Sequence, residues 1–296
     1  MSTVLSIEGL SKSYGSVKAL KNVSFEVPSG TVFGVLGPNG SGKTTLLGLV
    51  LEILYPQSGT FHWFDSPQAP TAELRKRIGT LLETPNFYPY LSGAENLAIT
   101  ASIRGQGKEQ IADILTRVGL GDHPKLPFSA YSLGMKQRLA LGACLLGDPE
   151  VLVLDEPTNG LDPAGIAEVR SLIKDLCQGG RTIILASHLL DEVEKVCTHV
   201  AILKKGDLLD VGSMEQVLKQ DVVIDLEASD LQSLEEALKS YTPELHLKAS
   251  ENGFRVSGDV TAEKLNRHCF ENGVTLSLLK TTHRDLESRF LELTDD

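Results

Sequence analysis

The sequence predicts an α/β protein, in which a parallel sheet is flanked by helices, followed by a small α+β domain. Continuous apolar runs at residues 151–154, 182–186 and 200–203 have the composition of strands that are buried on both faces. Helical patterns separate these runs, and strands that alternate with helices form parallel sheets. The small domain is predicted because the pattern of the chain changes near residues 212–221.

Short strands and turns open the chain. Residues 4–7 are mostly apolar, and residues 23–27 alternate apolar and polar side chains, as a half-buried strand does. The next elements are a strand, a short charged helix and a buried strand, at residues 59–64, 72–77 and 78–82. Residues 92–147 have mostly helical patterns, which glycine and proline interrupt at 105–107 and 119–127. We therefore expect a helical insert between the two halves of the parallel sheet.

The last part of the chain contains seven predicted elements. They are a strand, a helix, two strands, a helix, a strand and a final helix, at residues 222–226, 231–240, 244–248, 253–257, 262–271, 274–279 and 284–293. The first six follow the β-α-β-β-α-β order of a ferredoxin-like domain. We expect residues 220–296 to form a separate small α+β domain.

The composition is that of a soluble globular protein. The chain has 296 residues, of which 41% are hydrophobic and 23% are charged, which suits one large domain or a large and a small one. The formal net charge of −11 argues against a general grip on nucleic-acid backbones, so no nucleic-acid partner is predicted. The sequence shows neither a signal-peptide pattern nor an apolar stretch of membrane-spanning length. If the protein works at a membrane, we expect another chain to cross it.

The four cysteines are scattered and form no C-x-x-C pair. This spacing indicates neither a zinc site nor a redox pair. A reduced, cytosolic compartment is the simpler interpretation.

A glycine-rich loop lies between an apolar strand at residues 31–36 and an apolar helix at residues 45–51, which Thr44 opens. The loop fits the phosphate-binding pattern G-x-x-x-x-G-K-[ST] with Gly37, Pro38, Asn39, Gly40, Ser41, Gly42, Lys43 and Thr44. Backbone N–H groups in such a loop form an anion nest, and the positive end of the helix points at the same place. We expect Lys43 to reach the β- and γ-phosphates and the Thr44 hydroxyl to ligate Mg²⁺.

Two acids follow the apolar run at residues 151–154. Asp155, at the tip of a buried strand, can hold Mg²⁺ directly or through water, and Glu156 can point at a water in line with the γ-phosphate. Acidic turns after strands are common, so the pair alone is a weak signal. Beside a phosphate loop it is a strong one.

Two further segments contain candidate residues for phosphate binding or catalysis. Ser132 and Gly134 lie where a helix is predicted to start, which would make a second anion-binding helix N-terminus or a simple helix cap. His188 follows the apolar run at residues 182–186. A single histidine at a strand end is more often structural than catalytic.

The order of these motifs resembles that of the ATP-binding-cassette (ABC) ATPases. Five motifs occur in the order of that family between about residues 3 and 215: the phosphate loop, the Ser-x-Gly helix start, four hydrophobic residues with Asp-Glu, Asn-Gly-Leu-Asp at 159–162, and Ser-His at 187–188. The resemblance implies a P-loop NTPase cassette over residues 1–215. Its parts would be a RecA-like parallel-sheet core, an antiparallel β subdomain and the helical subdomain at about 92–147.

The resemblance also implies roles for single residues. Tyr14 would stack on adenine, residues 37–44 would be the Walker A loop with Thr45 beside it, and residues 132–137 would match the signature motif. Asp155 would be the Walker B acid and Glu156 the catalytic base. Residues 159–162, which include Asp162, would form the D-loop, and His188 would be the switch histidine. Two cassettes of the family pair head to tail, so Ser132 and Gly134 would cover the ATP that a second subunit holds.

Two departures from the commonest family form are present. The signature reads Ser-Leu-Gly-Met-Lys-Gln rather than Ser-Gly-Gly-Gln, and Glu83 stands where many members carry the Q-loop glutamine. Both variants, and the ending at residues 285–293, are similar to those of the drug- and antibiotic-exporter branch. Glu83 could contact Mg²⁺, as the usual glutamine does, or could serve mainly as a hinge.

The resemblance implies the ATP-hydrolysing subunit of an ABC-2 type exporter. ATP and Mg²⁺ would be its cofactors. Its partners would be a second ATPase subunit, with which it forms a homodimer, and an integral membrane permease. The protein would then lie on the cytoplasmic side of the membrane, held there by the permease. A non-transport ABC ATPase of translation or repair, and a regulatory ATP-binding module without turnover, are the alternatives.

An aromatic, proline-stiffened loop at residues 83–91 joins the sheet core to the helical insert. It contains Phe87, Tyr88 and Tyr90 in a chain that is only 5% aromatic. These side chains could pack against the insert, or they could anchor the permease. We expect the permease to bind here, because the loop joins the half that holds the phosphates to the half that carries Ser132.

Overall fold

The computed structural model describes residues 2–64, 66, 72–82, 86–219, 222–242, 245–250, 252–258, 260–283 and 286–294. The chain divides into two compact units, Met1–Ser213 and Met214–Asp296. None of the helices in the described ranges is long and apolar enough to cross a membrane.

Among the described residues, the first unit contains nine strands and seven α-helices. The strands are β1 (Thr3–Tyr14), β2 (Val17–Pro28), β3 (Val32–Leu36), β4 (Ser58–Trp63), β5 (Ile78–Leu81), β6 (Val151–Asp155), β7 (Thr182–Ser187), β8 (His199–Lys204) and β9 (Asp207–Ser213). The helices are α1 (Lys43–Val50), α2 (Ala72–Lys76), α3 (Gly93–Arg104), α4 (Ile111–Arg117), α5 (Leu133–Leu145), α6 (Pro163–Gln178) and α7 (Leu190–Val196).

The main sheet has the strand order β5-β6-β7-β3-β8-β9. Its first five strands are parallel, as the apolar runs predict, and all residues of β3, β6 and β7 are buried. The edge strand β9 differs from this prediction, because it runs antiparallel to β8. Lys205 and Gly206 join the two strands with positive φ angles of 49° and 86°, the geometry of a two-residue hairpin turn.

The strands at the start of the chain form an antiparallel sheet of order β2-β1-β4. The β1–β2 hairpin is much longer than the short strands predicted from the sequence. Its pairing register shifts at four places, so the alternation of apolar and polar residues is broken and only fragments of the strands could be recognised.

One hydrophobic core joins the two sheets through α1. It contains Leu46 and Leu49 of this helix together with Phe25 of β2 and Val153 of β6. A helix that is apolar on all sides is buried on all sides, and α1 packs in this way from Leu46 to Val50. The first residue of this helix, Lys43, is therefore buried within the unit.

The helical insert consists of α3, α4 and α5, which pack against one another. Local capping defines its first helix: the Ser92 hydroxyl accepts a hydrogen bond from the Glu95 N–H, the Glu95 carboxylate accepts from the Ser92 N–H, and Gly105 ends the helix with φ 69°. Gly105 belongs to one of the two breaks predicted within the insert, and the helical subdomain is confirmed. The Ser92 cap was not part of that prediction.

The second unit contains α8 (Met214–Lys219), β10 (Val222–Ala228), α9 (Leu231–Lys239), β11 (His246–Ala249), β12 (Gly253–Ser257), α10 (Ala262–Glu271), β13 (Leu276–His283) and α11 (Leu286–Thr294). Its sheet has the order β11-β12-β10-β13, and every neighbouring pair is antiparallel. Residues of α9 and α10 share a separate core with this sheet, including Leu226, Leu234 and Leu265. The helix α8 was not predicted from the sequence, because six residues are too few to show a helical period of apolar side chains.

The four cysteines, Cys144, Cys177, Cys197 and Cys269, are all free thiols. Burial raises the pKa of the Cys144 thiol to about 12, and it raises the pKa of the Cys197 thiol as well. Both thiols therefore stay protonated and unreactive at neutral pH.

Candidate functional site

Three adjacent strands of the main sheet end at one edge, and each end carries a predicted site motif. Asp155 at the end of β6 lies opposite Ala186 of β7, and Ser187 of β7 lies opposite Leu36 at the end of β3. The strands are parallel, so the phosphate loop, the acid pair and His188 emerge side by side. Ligands of open α/β sheets bind in this position, outside the carboxyl ends of the strands.

The phosphate loop leads directly into α1. The helix begins at Lys43, one residue before Thr44, which was predicted to open it, and it ends at Val50. Gly42 precedes it with φ 111°, and a Cβ atom on this residue would lie 2.4 Å from the Ala19 carbonyl oxygen. Only glycine fits there, because the β1–β2 hairpin lies against the loop. The tip of the loop, at residues 38–40, is exposed.

The Lys43 side chain is only 6% exposed and points back into the loop. Its Nζ donates a hydrogen bond to the Gly37 carbonyl at 2.8 Å and lies 3.6 Å from Glu156 Oε1. Ser41 is also buried, and its hydroxyl has no hydrogen-bond partner among the described residues. A buried cation and a buried hydroxyl in an N–H-rich loop are groups that phosphate oxygens can satisfy.

The phosphate loop contacts the turn between β8 and β9, a contact that was not predicted from the sequence. The Gly206 N–H, in the turn between β8 and β9, donates to the Ser41 carbonyl at 3.0 Å. The Lys-Gly pair at this turn is a recognisable turn signal, but nothing in the sequence predicts what the turn contacts.

Thr44 and Asp155 converge at the base of the loop. The Thr44 hydroxyl donates to Asp155 Oδ2 at 2.8 Å, and the Asp155 side chain is buried. An alcohol and a carboxylate at one point are oxygen ligands of the kind that Mg²⁺ prefers. The residues therefore fit a magnesium ion that is shared with a bound nucleotide.

Glu156 has the most constrained position in the site. Its backbone is left-handed with φ 48°, an uncommon conformation for a residue other than glycine, and its N–H donates to the Ala186 carbonyl at 2.9 Å. One carboxylate oxygen lies beside Lys43, and the other is 2.9 Å from His188 Nδ1. A carboxylate that is held at both oxygens has a fixed orientation, which proton acceptance from a bound water requires.

Ser132 and Gly134 lie at the start of a helix, as predicted. Ser132 caps α5, and its hydroxyl accepts a hydrogen bond from the Met135 N–H at 3.2 Å. Hydrogen bonds between described residues do not connect Ser132 or Gly134 to the phosphate loop of the same chain. An added Cβ atom on Gly134 would have only the Ser132 hydroxyl within 4 Å, so the chain itself does not require glycine at this position.

Three further predicted residues lie at or near the ends of β1, α1 and α6. Tyr14 is exposed at the end of β1, with Lys12 Nζ 5.6 Å from the centre of its ring, and Thr45 lies in the first turn of α1. Asp162 caps α6, and its Oδ1 accepts a hydrogen bond from the Gly165 N–H at 2.9 Å. Glu83 lies outside the described residues.

Known proteins are similar to this chain over most of its length. The family model described as "ABC transporter" matches residues 20–159. The bacitracin transport ATP-binding protein BcrA of Enterococcus faecalis is 33% identical over 298 residues, which covers 99% of this chain and 97% of the relative. The chain belongs to the ABC transporter family. The chain therefore binds ATP and is an ATPase that powers a membrane transporter.

Further ABC transporter proteins support this assignment. BcrA of Bacillus licheniformis is 36% identical over 99% of this chain and 98% of its own length. The lantibiotic transport ATP-binding protein SrtF of Streptococcus pyogenes is 38% identical over 70% of this chain and 89% of its own. The solved structure of cbiO1 from Clostridium perfringens, part of the ABC transporter complex cbiONQ, superposes with a TM-score of 0.67 and 31% identity. It covers 74% of this chain and 92% of its own length. The cassette fold predicted from the motifs is thereby confirmed.

Proposed function

We propose that this ATPase uses Glu156 as its catalytic base and powers the export of a peptide antibiotic through a separate membrane permease. The observation that carries the catalytic assignment is the contact of one carboxylate with both Lys43 and His188. Lys43 lies in the phosphate loop, so a carboxylate 3.6 Å from its Nζ lies close to the place that the terminal phosphate of ATP would occupy. Glu156 is then within reach of a water that attacks this phosphate, and it can accept the proton of that water.

The other residues of the site bind and orient the nucleotide. When ATP enters, Lys43 exchanges its bond with the Gly37 carbonyl for bonds to the β- and γ-phosphates, and the buried Ser41 hydroxyl gains an acceptor. Thr44 and Asp155 would hold Mg²⁺, which neutralises charge on the β- and γ-phosphate oxygens. Tyr14, exposed at the end of its strand, would stack on the adenine ring.

A second copy of the chain would complete the site. Ser132 is exposed at the N-terminus of α5, and the space beside Gly134 is open. A helix N-terminus with an exposed hydroxyl and a glycine in its first turn suits a phosphate group that approaches from outside. We infer that two cassettes pair head to tail, so that each covers the other's ATP with Ser132 and Gly134.

The permease would bind at the aromatic loop, of which residues 86–91 are described. Phe87 packs edge-on against Phe128 of the helical insert, with ring centres 5.2 Å apart. Tyr88 and Tyr90 are 48% and 73% exposed and contact each other. We propose that the two tyrosines anchor the permease while Phe87 packs internally. This contact would hold the protein on the cytoplasmic side of the membrane.

The class of substrate is inferred from the names of the relatives, which are bacitracin and lantibiotic transport proteins. Both names denote transport of peptide antibiotics. The unit at residues 214–296 would be an accessory domain that regulates the dimer or stabilises it, since it contains none of the ATP-binding motifs.

A growth assay with bacitracin tests the proposal. Sensitive cells that express the chain together with its permease should tolerate more bacitracin than cells with the permease alone. Glu156→Gln should abolish this protection, because the amide cannot accept a proton. Glu263→Gln, an exposed residue of α10, is the control and should protect like the unchanged chain. Full protection by Glu156→Gln would contradict the proposed base, and no protection by the unchanged chain would contradict the substrate class.

A further inference from the structure

Leu133 of α5 lies directly over Gly160, in the loop that follows the catalytic strand. A Cβ atom on Gly160 would lie 3.2 Å from Leu133 Cδ2, which is the one described atom within 4 Å apart from those of the adjoining residues in the chain. The leucine thus occupies the space that a side chain on Gly160 would fill. Gly160 has φ 74°, so the loop turns sharply at the point where the leucine covers it.

The loop beneath Leu133 is short and begins at Glu156. The Asn159 N–H donates to the Glu156 carbonyl at 3.1 Å, and the Leu161 N–H donates to the Thr158 carbonyl at 3.2 Å. These two turns connect Gly160 to Glu156 through only three intervening residues. Because Glu156 also has a left-handed backbone, a shift of Gly160 would change the direction of its carboxylate.

The same leucine lies between Ser132 and Gly134, the two residues that we propose to contact a partner's nucleotide. It follows Ser132, precedes Gly134 and is 50% exposed itself. The commonest form of the signature has glycine at this position, which would leave the space over Gly160 empty. The leucine therefore joins two segments of one chain, the start of α5 and the loop after Glu156.

We propose that Leu133 is a positioning residue that transmits occupancy of Ser132 and Gly134 to Glu156 of the same chain. When the nucleotide of the second copy binds at the start of α5, Leu133 presses on Gly160 and fixes the turn that aims the Glu156 carboxylate. Each subunit then hydrolyses its own ATP fastest when it also covers the ATP of its partner. This inference rests on the proposed head-to-tail dimer.

The first test compares turnover with nucleotide affinity in Leu133→Gly. The turnover number should fall about tenfold, because the Glu156 carboxylate is no longer held in its orientation. The dissociation constant for ATP, measured on the single subunit, should stay within about twofold of that of the unchanged chain. Leu133→Met, which refills the space over Gly160, should restore most of the rate. Leu231→Gly is the matched control: Leu231 is also the first residue of a helix and is 42% exposed, and its variant should keep the full rate. An unchanged rate in Leu133→Gly, or no recovery in Leu133→Met, would overturn the proposal.

The second test separates this role from a direct contact with the partner. Leu133→Gly is added to Glu156→Gln, and ATP-dependent dimerisation is measured by light scattering. The double variant should dimerise at the same ATP concentration as Glu156→Gln, within about twofold, because Leu133 acts on the base and not on the partner's phosphate. A loss of dimerisation as large as the loss of turnover would make Leu133 an interface residue and overturn the inference. If Glu156→Gln itself remains monomeric with ATP, the head-to-tail dimer fails, and the inference fails with it.

Discussion

His188 Nδ1 lies 2.9 Å from Glu156 Oε2, although the two residues are 32 positions apart in the chain. The contact arises because β6 and β7 are parallel neighbours, so the residues that follow them emerge at the same edge of the sheet. Glu156 is therefore held by a residue from the adjacent strand as well as by Lys43. We expect the histidine to support the orientation of the carboxylate and not to be required for the phosphates to bind.

His188→Ala should lower the turnover number about 10- to 100-fold and leave the affinity for ATP nearly unchanged. The reason is that Glu156 loses the group that fixes one of its oxygens, while the phosphate loop stays intact. Steady-state phosphate release and calorimetric ATP binding measure the two effects. The exposed His246→Ala, in the second unit, is the control. A loss of ATP affinity equal to the loss of rate would contradict this division of roles.

Lys43→Ala should weaken ATP binding itself. A charge-assisted hydrogen bond contributes about 1.5–3 kcal/mol, so the dissociation constant should rise roughly 10- to 150-fold. Calorimetry with ATP measures this change, and the exposed Lys174→Ala on α6 serves as the control. Equal affinities of Lys43→Ala and the unchanged chain would show that the loop does not hold the phosphates.

The parts of the site that a local pattern specifies were predictable from the sequence. Glycine spacing identifies the phosphate loop, and the cap at Ser132 begins its helix as expected. The run of buried residues before Asp155 identifies the catalytic strand, since a strand covered on both faces has no polar alternation.

The contacts that set the geometry were not predictable. The left-handed backbone of Glu156 and the hydrogen bond to His188 depend on which strands are neighbours, and no local pattern encodes this. The packing of Leu133 on Gly160 likewise joins segments 27 positions apart. The antiparallel β9 was missed because the apolar runs reveal buried strands and not the direction of an edge strand.

Tyr88→Ala and Tyr90→Ala should uncouple ATP hydrolysis from transport. Both tyrosines are exposed, so their loss should leave the basal ATPase rate and the stability of the isolated subunit largely unchanged. Co-purification with the permease and transport should both decrease. Phe87→Ala should instead lower stability, because its ring packs on Phe128. Normal transport by the double tyrosine variant would place the permease contact elsewhere.

A chain that ends at Ser213 should still fold and bind ATP. Each of the two units has its own hydrophobic core, and all the predicted nucleotide residues lie in the first. The truncated protein should show a cooperative thermal unfolding transition that ATP shifts upward. A folded truncated protein without any ATP affinity would show that the second unit is part of the nucleotide site.

The most direct test of the central claim is single-site replacement of the base in purified protein. Glu156→Gln should bind ATP about as tightly as the unchanged chain, because Lys43, Thr44 and Asp155 remain, while ATP hydrolysis falls by about 100-fold or more. With ATP, size-exclusion chromatography should show a stable dimer that the hydrolysing protein does not accumulate. Hydrolysis by Glu156→Gln near the rate of the unchanged chain would contradict the account.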